Sequence, residues 1–107
     1  MRAADLMAKS LKEQGVDRVF CVPGESYLAL LDALHDTEIE VVACRHEGGA
    51  GFMAVADGKL TKRPGVLAVS RGPGATNASI AIHLAQQDAV PMVVIIGQVA
   101  REERGRD

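Results

Sequence analysis

Four short apolar runs recur along the chain at intervals of roughly 22 to 26 residues, the length of a strand, a helix and two short loops. They are Arg18-Val19-Phe20-Cys21-Val22, Ile39 to Ala43, Val66 to Ser70 and Met92 to Ile96. Their cores are apolar at consecutive positions and rich in β-branched residues, the pattern of strands covered on both faces; a half-solvated strand alternates instead. Segments at helical period lie between them. Parallel neighbours need crossovers of this length, whereas antiparallel ones are joined by tight turns. The expected fold is therefore α/β, a three-layer parallel sheet with helices on both faces. The order of the strands is not legible in one sequence.

The helices follow from spacing and punctuation. Ala3, Leu6, Met7 and Leu11 share one face of a first helix, which Gly15 stops. Pro23-Gly24 ends the first strand, and Ser26 is placed to cap a helix whose apolar stripe is Tyr27, Leu28, Leu30, Leu31 and Leu34. Thr37 and Glu38 break it. A glycine-rich helix then carries Phe52, Val55, Ala56 and Leu60 at matching offsets, and Lys62-Arg63-Pro64-Gly65 is a turn. Arg71 to Ala75 reads as a glycine loop, Asn77 to about Asp88 as a further crossover helix, and Gly97 closes the fourth strand. Residues 1–100 are expected to form the domain. Residues 101–107, charged at every position but Gly105, form a tail that frays or leads into a longer chain.

A chain of 107 residues holds one domain at most, large enough for a real core. With aromatics at 3%, that core must be built from Val, Ile, Leu, Ala and Met. The net charge is -2 with both signs mixed along the chain, which is not a nucleic-acid footprint. Met92 to Ile96 is far too short to cross a bilayer, and the N-terminus enters an amphipathic helix rather than a signal peptide. Neither nucleic acid nor membrane is an expected partner. Cys21 and Cys44 fall in expected strands without a CxxC partner, and read as buried free thiols of a cytoplasmic protein.

The chemistry concentrates at strand ends. In Cys44-Arg45-His46-Glu47-Gly48-Gly49-Ala50-Gly51, a strand ends where a helix begins, with a carboxylate at the junction. Ligands of open parallel sheets sit at the carboxyl ends of strands, which puts Glu47 on the functional edge. Each helical glycine costs about 1 kcal/mol relative to alanine, so Gly48, Gly49 and Gly51 imply close backbone approach to a helix or a ligand, with a near neighbour expected at Gly49. The plainer alternative is a solvated first-turn glutamate favoured by the helix dipole. Pro23-Gly24-Glu25-Ser26, Ser70-Arg71-Gly72-Pro73-Gly74-Ala75-Thr76-Asn77 and Gly97-Gln98-Val99 share that edge if the sheet is parallel. The glycine loop resembles a phosphate cradle, but Asn77 stands where the third glycine of a dinucleotide fingerprint belongs, and Pro73 removes a donor. Cys44 and His46 without further ligands do not make a zinc site, and no metal-ligating residue is assigned. His35 and His83 read as partly exposed helix residues.

Val22-Pro23-Gly24-Glu25-Ser26, Arg45-His46-Glu47-Gly48-Gly49-Ala50, Arg71-Gly72-Pro73-Gly74-Ala75-Thr76-Asn77 and Gly97-Gln98-Val99 together resemble the N-terminal, pyrimidine-binding domain of thiamine-diphosphate-dependent enzymes, most closely the acetolactate-synthase-like group. The likeness runs from about Leu6 to Ala100 with the motifs in order. It implies a domain that holds the aminopyrimidine ring across a dimer interface. Glu47 matches the glutamate that hydrogen-bonds a ring nitrogen and favours the tautomer able to deprotonate the thiazolium carbon. Gly24 and Glu25 match the loop beside the pyrimidine, Pro73 and Asn77 the loop and helix start near the ring, and Gln98 a strand-end amide on the substrate side. The implied activity is decarboxylation and carboligation of small 2-oxo acids, as a transferase or lyase, in a homodimer or higher homo-oligomer. The chain departs from many acetolactate synthases at Glu25 and at Ser70-Arg71, which leaves the exact reaction open among related decarboxylases and lyases. The family's magnesium- and diphosphate-binding Gly-Asp-Gly…Asn motif is absent here, and its pyrimidine domain normally has six strands. The resemblance thus implies an inactive N-terminal fragment, truncated after about four strands, with magnesium held by a C-terminal domain of a parent enzyme. Rival readings are a small α/β nucleotide-binding module and a non-catalytic assembly domain, the latter disfavoured by the carboxylate at Glu47.

Overall fold

A computed structural model describes residues 2–105. Four strands, β1 (Arg18–Cys21), β2 (Glu40–Ala43), β3 (Gly65–Val69) and β4 (Met92–Ile96), form one sheet in the order β2-β1-β3-β4. Every pairing is parallel. The helices are α1 (Ala3–Glu13), α2 (Leu28–His35), α3 (Glu47–Thr61) and α4 (Pro73–Gln87). The chain moves outward from β1 to β2 through α2, then returns past β1 to β3 through α3 and continues to β4 through α4. Right-handed crossovers running in opposite directions must lie on opposite faces, and they do.

The two halves of the core show this directly. Val19, Cys21, Val66 and Ala68 face α1 and α2, where Ala8, Leu30, Ala33 and Leu34 cover them. Phe20, Leu67 and Val69 face the other way, onto Ala50 and Ala54 of α3 and Ala78 of α4. The expected three-layer sheet is thus the observed one. Apolar character on both faces is a feature of the two inner strands; all five residues of β3 are buried. Edge strands β2 and β4 instead leave Val41, Val93 and Ile96 exposed.

Several local expectations are corrected. On α1 the buried side is Ala8 with Ala4 and Leu11 packed beside it, while Leu6 and Met7 are exposed. Ser26 does not cap α2: Glu25–Tyr27 forms a separate 3-10 turn and α2 begins at Leu28, which points to solvent. Tyr27 is buried and its hydroxyl donates to the Val22 carbonyl, folding the turn back onto the end of β1. α4 begins at Pro73, so most of the expected glycine loop is helix; proline is favoured at a first helical position because its missing N–H would be unpaired there. Gly72, at φ +62°, makes the turn into α4 in a conformation that side-chain-bearing residues rarely adopt.

The largest correction concerns α3. Its buried side is Gly48, Ala50, Gly51, Ala54, Val55 and Gly58, not the expected stripe; Phe52, Ala56 and Leu60 face outward, and of that stripe only Val55 is buried. Small residues let backbones approach: a Cβ on Gly51 would overlap that of Ala81 on α4, and one on Gly58 would lie 2.8 Å from the Pro91 carbonyl oxygen. Gly49 has open space where its side chain would be, against expectation. Both cysteines are free, but Cys44 lies just past β2 and is only half-buried. His35 and His83 are exposed on α2 and α4. Arg101–Glu103 forms a 3-10 turn with no buried residue; positions 106 and 107 of the charged tail lie outside the described residues. Among the described residues no helix is long and apolar enough to cross a membrane.

Candidate functional site

The reversal of direction after β2 creates a switch point between β1 and β3, the place where open α/β sheets bind ligands. Parallel pairing puts the ends of all four strands on that edge. The segments leaving β1 and β3 meet there: a Cβ on Gly24 would collide with the Ser70 hydroxyl, so only glycine lets the two loops touch. Pairing between β1 and β3 is short, Phe20 with Leu67 and Cys21 with Ala68.

Glu47 is the first residue of α3 and is half-buried. Its neighbour His46 caps the helix, with Nδ1 accepting the Gly48 N–H at 2.9 Å. The Glu47 side chain does not cap its own helix. It reaches across to α4, where Asn77 Nδ2 donates to Oε1 at 3.1 Å. Oε2 lies 3.4 Å from where a Gly74 side chain would begin. The carboxylate is therefore cradled by the first turns of two helices, whose positive dipole ends favour an anion.

The structure brings Glu47 and Asn77 into direct contact. Pro73 is exposed at the first position of α4, one residue before Gly74. Gly24 is half-buried against Ser70, and Glu25 is exposed on the adjoining turn. Gln98 is exposed past β4, its Oε1 accepting the Val99 N–H at 2.9 Å. Glu25 and Gln98 line a separate recess of about 270 Å³ with Ser26, Arg71 and Glu103. Glu47 does not border it. A larger hollow of about 450 Å³ lies between α1 and α2, lined by Asp5, Lys9, Lys12 and Glu38 among others, and includes none of the assigned positions.

Three participants escape sequence reading. His46 is not a favoured capping type, so nothing marks it as a cap. Ser70 acts through its closeness to Gly24, a contact between distant positions. Ser26 Oγ is buried without a hydrogen-bond partner among the described residues, beside Gly97, whose added Cβ it would strike. Deeper under the same loop, burial beside Cys21 pushes the Tyr27 phenol well above its ordinary value, and burial likewise raises the Cys21 thiol. Neither group ionises readily. Among the described residues there is no group of three or more His, Cys, Asp or Glu side chains able to hold a metal ion.

A parallel α/β sheet with a carboxylate bracketed by two helix starts places Glu47 at the edge where proteins of the open-sheet class bind ligands. The chain belongs to the family described as thiamine pyrophosphate enzyme, N-terminal TPP binding domain, whose model matches residues 1–107. It is 44% identical over 103 residues to acetolactate synthase of Bacillus subtilis (strain 168), covering 96% of this chain and 18% of that protein. Against the acetolactate synthase isozyme 3 large subunit of Escherichia coli (strain K12) identity is 43% over 108 residues, covering 100% and 19%. The isozyme 2 large subunit of the same organism is 38% identical over 107 residues, covering 100% and 20%. The chain thus spans about a fifth of the length of these relatives.

Proposed function

We propose that this chain is the pyrimidine-binding part of a thiamine-diphosphate-dependent enzyme of acetolactate-synthase type, which joins small 2-oxo acids by decarboxylation and carboligation. The observation that carries the reading is the placement of Glu47: at the strand-to-helix junction, on the switch-point edge, bonded by Asn77 through one oxygen. The family match over the whole chain supports it. A carboxylate so held suits a ring nitrogen that must share a proton, because one oxygen is engaged and the other faces a residue without a side chain.

Thiamine diphosphate, when bound, supplies the nucleophilic carbon and the electron sink that 2-oxo acid decarboxylation requires. Glu47 holds the shared proton at its carboxylate. Gly24, Glu25 and Pro73 bound the ring's surroundings from the neighbouring loops. Gln98, across the recess it shares with Glu25, lies on the side proposed for substrate. The reading assigns magnesium and the diphosphate to another domain of the enzyme, since the carboxylates described here are not grouped for a hard cation. It takes the active enzyme to be a cytoplasmic homo-oligomer and this chain alone to be without turnover.

The test is Glu47→Gln in the complete enzyme. Glutamine keeps the shape and the bond from Asn77 but cannot take up the proton. Exchange of the thiazolium carbon proton should fall by about 100-fold or more, the usual range for a lost acid–base group. A rate within about tenfold of wild type would sink the assignment.

A further inference from the structure

The bond between Asn77 and Glu47 joins residues 30 positions apart on different helices. Asn77 is exposed and Glu47 half-buried, yet backbone packing between the two helices sets the distance. Gly48, next to Glu47, comes against Asn77 itself: a Cβ there would stand 3.4 Å from the Asn77 carbonyl oxygen. One turn further on, Gly51 meets Ala81 in the same seam between α3 and α4. His46 meanwhile takes the Gly48 N–H, so that donor is already engaged and does not draw Glu47 back onto its own helix. The two oxygens of Glu47 are thereby made unequal. Oε1 receives the Asn77 amide, while Oε2 faces the bare Cα of Gly74.

From this asymmetry, and resting on the reading of Glu47 given above, we infer that Asn77 is a positioning residue. It acts through Glu47, fixing Oε1 so that Oε2 is the oxygen presented to the pyrimidine ring. The two oxygens are chemically equivalent, so what the amide fixes is the plane of the carboxylate: with one oxygen held by Asn77 the other stays aimed at the ring, and rotation out of that plane would carry it away. A donor is required, so aspartate, of the same shape, does not substitute.

Two measurements test this. In the isotope-labelled chain, without cofactor, the Asn77 side-chain amide should resonate away from the position of an unbonded carboxamide, and that displacement should be lost in Glu47→Ala. An amide unmoved by Glu47→Ala overturns the inference. In the complete enzyme saturated with thiamine diphosphate and magnesium, Asn77→Ala and Asn77→Asp should each slow thiazolium proton exchange by about 100-fold, the cost of a small misplacement of a reacting group, with cofactor affinity unchanged. Adding Asn77→Ala to Glu47→Gln should cost nothing more, since the two residues act as a unit. Loss of affinity with unchanged exchange at saturation would make Asn77 a simple contact and overturn the role while leaving Glu47 in place. Exchange unaffected by Glu47→Gln would overturn the reading of the site itself.

Discussion

Tyr27 shows how one side chain fixes a loop that the site needs. Its hydroxyl donates to Val22, its ring is buried, and the Ala68 carbonyl lies 3.3 Å from the same oxygen. The turn carrying Glu25 and Ser26 is thereby tied to the ends of β1 and β3. Tyr27→Phe leaves the Val22 carbonyl without that donor and should cost about 1 kcal/mol in a urea titration. The pH dependence has a definite sign. Burial raises the phenol above its ordinary value of 10.0 and the Cys21 thiol above 9.0, so the folded chain keeps protons that the unfolded chain releases. Stability is therefore fully present below about pH 9 and falls as pH rises beyond it. Tyr27→Phe should flatten the part of that fall above pH 10. An unfolding midpoint that stays constant from pH 8 to 11 would refute both assignments. None of this was visible in the sequence, where Tyr27 sits at a spacing that fits the α2 stripe equally well. Glu47 was legible as a junction residue because strand and helix patterns abut there. Its partner was not, since nothing local relates position 47 to position 77.

At the scale of elements, α3 and α4 form the seam on which the site stands. Periodicity of large apolar residues misassigned the faces of α3 because burial there is decided by glycine and alanine, which hydropathy patterns weigh lightly. Phe52 and Leu60 are large enough to dominate such a pattern, yet they lie outside the seam. The four strands, by contrast, were legible to within a residue or two, since each apolar run is short, rich in β-branched residues and bounded by turn residues. The glycines now divide by what surrounds them. Gly51→Ala would press a methyl group onto Ala81; overpacking of about 1–3 kcal/mol exceeds the helix gain of about 1 kcal/mol, so net destabilisation is expected. Gly49→Ala meets open space and should instead stabilise by about 0.5–1 kcal/mol. Denaturant midpoints of the two variants, moving in opposite directions, check the packing of this seam.

At the scale of the whole molecule, apolar surface stands open. Besides Phe52 and Leu60, α3 and α4 expose Met53 and Ile80, and β4 ends the sheet with Val93 and Ile96 open. Exposed apolar helix faces and a bare strand edge favour association. The chain should sediment above its monomer mass of 11.3 kDa at micromolar to millimolar concentration, and Phe52→Asp with Leu60→Glu should shift it toward monomer. Thiamine diphosphate should bind this chain at about millimolar level or weaker, because a few pyrimidine hydrogen bonds give roughly 4 kcal/mol at most. Calorimetry with magnesium present checks this, and micromolar binding by a monomer would show the site to be elsewhere.

The central position of β1 also governs how the chain can assemble on the ribosome. β1 is made first, yet its two neighbours arrive only with residues 40–43 and 65–69. Among the described residues no pair of strands adjacent in the sheet is joined by a tight turn, so every ladder waits for a crossover and its loop-closure cost. A nascent chain halted before Gly65 has one edge of β1 unpaired and half of the core unbuilt, which makes it a target for chaperones. Protection of Val19 and Cys21 in arrested chains should therefore appear abruptly once β3 has cleared the exit tunnel, rather than growing with length.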